Sequence, residues 1–120
     1  MAVKAAVRQV GNVSIVDLEG RITLGEGAGL LRSTIKDLVT SGQRNILLNL
    51  GGVSYLDSAG LGEMVGSYAS VTNQGGQIKL LNVQSKVRDL LSITKLLTVF
   101  SAYTDENEAV RSFSSSAAGA

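Results

Sequence analysis

The sequence predicts an α/β domain built on a mixed β-sheet, and three observations carry that prediction. Two runs rich in β-branched residues flank Gly11-Asn12, which reads as a hairpin. Asn45-Ile46-Leu47-Leu48-Asn49-Leu50 is a short, nearly continuous apolar run, the pattern of a strand covered on both faces. Between and after these runs apolar residues recur at helical spacing, so strands and helices alternate along the chain.

Each element follows in order. Val3, Ala5 and Val7 alternate with Lys4, Ala6 and Arg8, and after the turn Val13, Ile15 and Leu18 oppose Ser14, Asp17 and Glu19. Gly20-Arg21-Ile22-Thr23 ends the hairpin. From Glu26 the period changes, with Ala28, Leu31, Ile35, Leu38 and Val39 on one helical face and Gly42 at the C-terminal cap position. The run at 45–50 is the expected central strand, followed by Gly51-Gly52 and Val53-Ser54-Tyr55-Leu56. Asp57-Ser58 introduces a second helix through Leu61, Met64, Val65, Tyr68 and Val71, closed by Gly75-Gly76. Gln77 to Val83 reads as a strand, and Ser85, placed as a cap, opens a short helix with Val87, Leu90 and Leu91 inward. Leu97-Thr98-Val99-Phe100 reads as a last strand, and Asp105-x-x-Glu108 starts a final helix reaching about Phe113. The domain is thus expected over 1–113. Ser114 to Ala120 carries no large side chain and is expected as a flexible C-terminal tail, 114–120.

Composition removes whole classes of function. Of the 120 residues 44% are hydrophobic and 18% charged, and the net charge is +1, so no cationic excess drives nucleic-acid binding. Cysteine and histidine are both absent, which removes disulfides, thiolate catalysis, imidazole acid–base chemistry and the usual soft metal ligands. No apolar run approaches the ~18 residues of a membrane span, and Met1-Ala2-Val3-Lys4-Ala5 lacks a signal peptide's order. A cytoplasmic protein with no cofactor, no metal, no membrane insertion and no enzymatic mechanism of the familiar hydrolytic or metal-dependent kinds is expected.

One stretch departs from ordinary core building: Asp57-Ser58-Ala59-Gly60-Leu61-Gly62, at a strand-to-helix junction. Asp57 is placed to cap the helix, with Leu56 and Leu61 as a hydrophobic staple. Ser58 then takes the first helical position, where free backbone N–H groups and the helix dipole favour an added anion. Phosphorylation there adds about −1.5 to −2 charges without unfolding the helix; the plainer alternative is that both residues only cap. The following helix carries Gly62, Gly66, Ser67 and Ser70 on its non-core face. Each interior glycine costs roughly 1 kcal/mol relative to alanine, which points to close approach either by a partner or by a neighbouring helix of the same domain.

Other clusters carry less. Gly60-Leu61-Gly62 fails as a dinucleotide fingerprint because its third glycine falls at Val65, and Gly25-x-Gly27 fails at Leu30; no P-loop lysine exists. The stretch from Gly25 to Gly29 reads as a flexible approach to the first helix. Asp105, Glu106 and Glu108 suit a helix start and a solvated face. Lys79, Lys86, Arg88 and Lys95 are interrupted by Asp89 and lack interleaved aromatics, so they too read as a solvated face.

Over residues 5 to 113 the chain resembles the bacterial anti-sigma factor antagonists built on the STAS domain. The segment from Asn45 to Gly62 looks like that family's strand, turn and phospho-acceptor, supported by Val16-Asp17-Leu18-Glu19-Gly20-Arg21-Ile22 and Gly75-Gly76-Gln77-Ile78-Lys79-Leu80. The resemblance implies a mixed four- to five-stranded sheet with about four helices mostly on one face. It implies that Ser58 accepts phosphate, that Asp57 orients and caps, and that Ala59, Gly60, Leu61 and Gly62 belong to a partner-facing ridge. Arg21 and Thr23 flank that surface, standing where many members have acidic residues; Ala59, where some members carry a second serine, leaves Ser58 as the single hydroxyl after Asp57.

The partners implied are an anti-sigma factor with serine kinase activity, bound when Ser58 is unmodified, and a serine phosphatase that reverses the modification. Sigma-factor-dependent transcription would be the output, with the protein a monomer or weak dimer and no direct contact with nucleic acid. Two other functions share the residues: a STAS scaffold subunit of a stress-sensing or lipid-transport assembly without a phospho-switch, and a nucleotide-binding protein using the glycine loops.

Overall fold

The computed structural model describes residues 3–118, with the backbone alone for 115–118. Five strands form one sheet in the order β1-β2-β3-β4-β5. β1 (Lys4–Val10) and β2 (Val13–Ile22) are the antiparallel hairpin expected from Gly11-Asn12, and Gly11 has the positive φ of 60° that such a turn requires. β3 (Asn45–Leu56) runs parallel to β2, β4 (Gln77–Leu81) parallel to β3, and β5 (Ala102–Tyr103) parallel to β4.

Each parallel step in the same direction needs a crossover of one hand. The three crossovers, α1 (Glu26–Thr40), α2 (Ser58–Asn73) and α3 (Ser85–Ile93), therefore share one face of the sheet. There Leu31, Ile35, Met64, Val71, Val87 and Leu91 bury against Val16, Leu48, Leu50 and Leu80 of the strands. The opposite face carries α4 (Glu106–Ala118), whose Ala109 and Phe113 cover Val13, Ile15, Leu47 and Leu81. This is the α/β domain with a mixed sheet that the pattern predicts, and its five strands and four helices, three of them on one face, agree with what the resemblance implies.

The differences have physical causes. β3 does not stop at Leu50: it continues through Gly51 and Gly52 to Leu56, with register shifts against β2 between Asp17 and Glu19 and again between Gly20 and Arg21. A Cβ on Gly52 would lie 2.8 Å from Glu19 Cγ and 2.9 Å from the Leu18 carbonyl oxygen. Glycine is what lets the two strands pass, so the pair marks an irregular strand rather than its end. The strand expected at Leu97–Phe100 is instead a 3₁₀ turn at Leu96–Thr98, entered through Lys95 at φ 67°. Tertiary packing overrides the β pattern here: Phe100 is buried and sets its ring edge-on to Tyr68, centroids 5.5 Å apart. The fifth strand forms two residues later.

Ser85 is the first helical residue of α3, not its cap; Gln84 holds the cap position. α4 continues to Ala118, five residues past the expected end at 113, because Ser-Ser-Ser-Ala-Ala contains no helix breaker and ends in the strongest helix former. The expected tail is therefore helical over 114–118, and residues 119–120 lie outside the described residues. Lys79 is not part of a solvated face. It is buried under α4, donating to Ser112 Oγ at 2.9 Å with its ammonium 4.7 Å from the Phe113 ring centroid. Among the described residues no helix is long and apolar enough to cross a membrane.

Candidate functional site

In a sheet of parallel strands with helical crossovers, the loops that follow the strands gather at one edge. The β2–α1 and β3–α2 loops meet there, and Asp57 joins them. Asp57 is extended, with φ −103° and ψ −172°, and caps α2: its Oδ1 accepts from the Gly60 N–H at 2.9 Å. Its Oδ2 accepts from the Leu24 N–H, also at 2.9 Å. These two donors, Leu24 first, hold the Asp57 carboxyl below the usual carboxylate range.

Ser58 begins α2 and is exposed, as expected from the capping role of Asp57. The outward stripe beyond it is Ser58, Gly62, Val65, Gly66 and Ala69, all exposed and all uncharged. A Cβ added at Gly62 or Gly66 would meet nothing within 4 Å. Close packing by a neighbouring helix of the same domain is thereby removed as the reason for either glycine. Ser67, read from the sequence with that outer face, turns inward and donates to the Glu63 carbonyl at 2.7 Å.

The expected ridge divides at this point. Gly60 is buried, and a Cβ there would run into the Ile22 carbonyl oxygen, so it serves the seam between α2 and β2 rather than a partner. Leu61 is half-buried and packs on the main core, and Ala59 is half-buried. Gly62 alone of the four ridge residues is open. Arg21 is exposed, with its guanidinium 4.9 Å from the Tyr55 ring centroid. Thr23 is half-buried and lines a shallow groove with Arg21, Leu24 and Ser54. The glycines at the start of α1 are structural too: Gly25, at the cap position, takes φ 98°, and Gly27, in the first turn, is buried where a Cβ would strike the Arg21 carbonyl oxygen.

The STAS domain family model matches residues 4–109, most of the chain. The chain belongs to the STAS domain family. An anti-sigma-B factor antagonist of Bacillus subtilis (strain 168) is 35% identical over 96 residues, spanning 80% of this chain and 86% of that protein. A crystal structure of a Thermotoga maritima protein assigned as an anti-sigma factor antagonist superposes with a TM-score of 0.84, at 27% identity over 91% of this chain and 93% of that one. The Bacillus cell fate determinant SpoIIAA, solved in its phosphorylated form, shares the fold with a TM-score of 0.72, at 21% identity over 90% and 97% of the two chains.

Within this STAS domain the sequence reading missed two exposed apolar side chains beside the site. Leu24 is 81% exposed and Val65 46%. Val65 follows the helical period of the core residues, which places it inside, but the arc of α2 that faces the sheet is filled by Met64, Ser67 and Val71 instead. Leu24 falls between a strand and a helix and so belongs to neither period. Among the described residues, no group of three or more carboxylates, histidines or cysteines gathers as a metal site.

Proposed function

We propose that this STAS domain is an anti-sigma factor antagonist: a regulatory binding protein that occupies an anti-sigma factor with serine kinase activity while Ser58 is unmodified. The observation that supports this best is the exposed Ser58 at the head of α2, beside a stripe of α2 on which Gly62 and Gly66 leave the helix backbone uncovered. The similarity to anti-sigma factor antagonists, one of them 35% identical, supports it independently.

The switch follows from charge. The kinase transfers the γ-phosphoryl group of ATP to Ser58 Oγ, the hydroxyl proton is released and ADP leaves. Water attack in the phosphatase returns the hydroxyl and frees inorganic phosphate. The dianion at the first position of α2 is favoured by the helix N-terminus but lies one residue from the ionised Asp57. In the free protein water solvates it. Against a closely packed partner it must be desolvated with no counter-charge in reach on α2, whose outward stripe is uncharged, and binding is lost.

The test is phosphate mapping by mass spectrometry on protein recovered from growing and stressed cells, together with capture by the unmodified protein and by Ser58→Glu. Phosphate on Ser58 that changes with condition, and an anti-sigma factor held by the first bait and released by the second, are the expected results. Absence of phosphate in every condition would overturn the switch.

A further inference from the structure

We propose that Leu24 is the apolar anchor with which this protein engages its anti-sigma factor, and that Asp57 is the positioning residue that presents it. The inference rests on the docking reading of the Ser58 surface and names a specificity contact within it.

Leu24 is the most exposed large hydrophobic side chain among the described residues, at 81%. Solitary exposed leucines are common on flexible loops, where they carry no message. This one is held on a fixed backbone. Its N–H donates to Asp57 Oδ2, the Thr23 carbonyl accepts from the Ala28 N–H at 2.9 Å, and the Gly25 carbonyl accepts from the Gly29 N–H at 3.0 Å. Gly25 takes a positive φ of 98°, and Gly27 is locked against the Arg21 carbonyl. The loop is thus ordered on folding, before any partner arrives, and little further entropy is lost when Leu24 enters a socket.

Asp57 makes the second half of the argument. A helix cap needs one acceptor oxygen, and serine or asparagine supplies it as well as aspartate. Asp57 uses its second oxygen on Leu24, across the gap between two loops. Capping alone leaves that bond unexplained; presentation of Leu24 next to Ser58 explains it. A protruding side chain of this kind fits a protein surface with an apolar socket rather than a small molecule, which would need a concave site. Val65 and the open backbone at Gly62 extend the same surface along α2.

The experiment compares the parent, Leu24→Ala, Asp57→Asn and the double variant. The probe is the purified anti-sigma factor captured by the unmodified protein, with affinity read by calorimetry and Leu24 amide exchange read by NMR without partner. Asparagine retains one acceptor for Gly60 but turns an NH₂ toward the Leu24 N–H. The expected result is that each single variant weakens binding about tenfold or more, that the double variant is no weaker than either alone, and that the Leu24 amide loses protection only where Asp57 is replaced. Parent-like affinity of Leu24→Ala overturns the anchor while leaving the Ser58 switch standing. Additive losses, or a Leu24 amide unaffected by Asp57→Asn, overturn the positioning role. Loss of self-association in Leu24→Ala with unchanged partner affinity assigns Leu24 to a second copy and overturns the proposal. Binding that ignores Ser58→Glu, or a parent that captures no anti-sigma factor, overturns the function on which the inference rests.

Discussion

Gly60, in the first turn of α2, lies so close to the carbonyl oxygen of Ile22 at the end of β2 that a Cβ has no room between them. The obstacle is backbone on a buried strand, which cannot swing aside as a side chain would. Gly60→Ala is therefore expected to destabilise the protein by about 3 kcal/mol, because α2 must lift from β2 or its cap at Asp57 must break. Urea unfolding followed by circular dichroism measures it, and a loss under about 0.5 kcal/mol would mean that the seam is more compliant than the structure indicates.

The contrast between Gly60 and Gly62 shows where sequence reading reaches its limit. Both glycines sit in one motif, and spacing alone gives them one role; only the path of β2, set by residues some forty positions earlier, separates a packing glycine from an open one. Local signals survived well. The Gly11-Asn12 hairpin, the buried run at 45–50 and the Asp57 cap are each decided within a few residues of chain. Features decided at long range did not survive: Phe100 is drawn to Tyr68, Lys79 is covered by a helix thirty residues later in the chain, and Leu24 is tied to Asp57 across 33 positions. The first is a strand lost to tertiary packing, and the other two fall on the surroundings of a single side chain, which helical and strand periods do not encode.

A second prediction concerns acid stability. Arg8 on β1 donates to Asp17 on β2 and to Glu106 on α4, at 2.6 Å and 2.7 Å. Its guanidinium lowers the carboxyl pKa of both acids, and Asn49 adds a further bond to Asp17 at 2.7 Å. A carboxyl lowered in the folded state stabilises above its unfolded pKa, about 4, and that stabilisation is lost as pH falls through the folded value. Stability is expected to fall between about pH 5 and pH 2. Because all three groups are partly exposed, the cluster contributes no more than about 1 kcal/mol. Arg8→Met should flatten the acid limb of a urea midpoint-against-pH plot, and an unchanged slope would remove the cluster from the account.

Lys79 supplies a third. Lys36, Lys86 and Lys95 are exposed, whereas Lys79 is 8% exposed beneath α4. Under amine acetylation read by peptide mass spectrometry, Lys79 should label at least about tenfold more slowly than the other three, since reagent reaches it only when α4 lifts from the sheet. Phe113→Ala removes the ring beside the Lys79 ammonium and opens the smaller core, at about 3–5 kcal/mol. Labelling of Lys79 should then approach that of Lys86. Equal labelling in the parent would show that α4 is not closed over the sheet.

The last prediction sets stability against binding on the open face of α2. Gly62 and Gly66 have empty space where a Cβ would stand, so alanine at either position gains helix propensity and loses no internal contact. Each single substitution should stabilise the fold by up to about 1 kcal/mol, the opposite sign to Gly60→Ala in the same helix. A protein whose only requirement was a folded domain would be better served by those alanines. If the glycines instead admit a partner's backbone, each added methyl occupies the space that the partner fills, and affinity for the anti-sigma factor should fall as stability rises. Melting temperature and binding constant measured on the same two variants separate the cases: higher stability with weaker binding assigns the glycines to the interface, and higher stability with unchanged binding removes them from it.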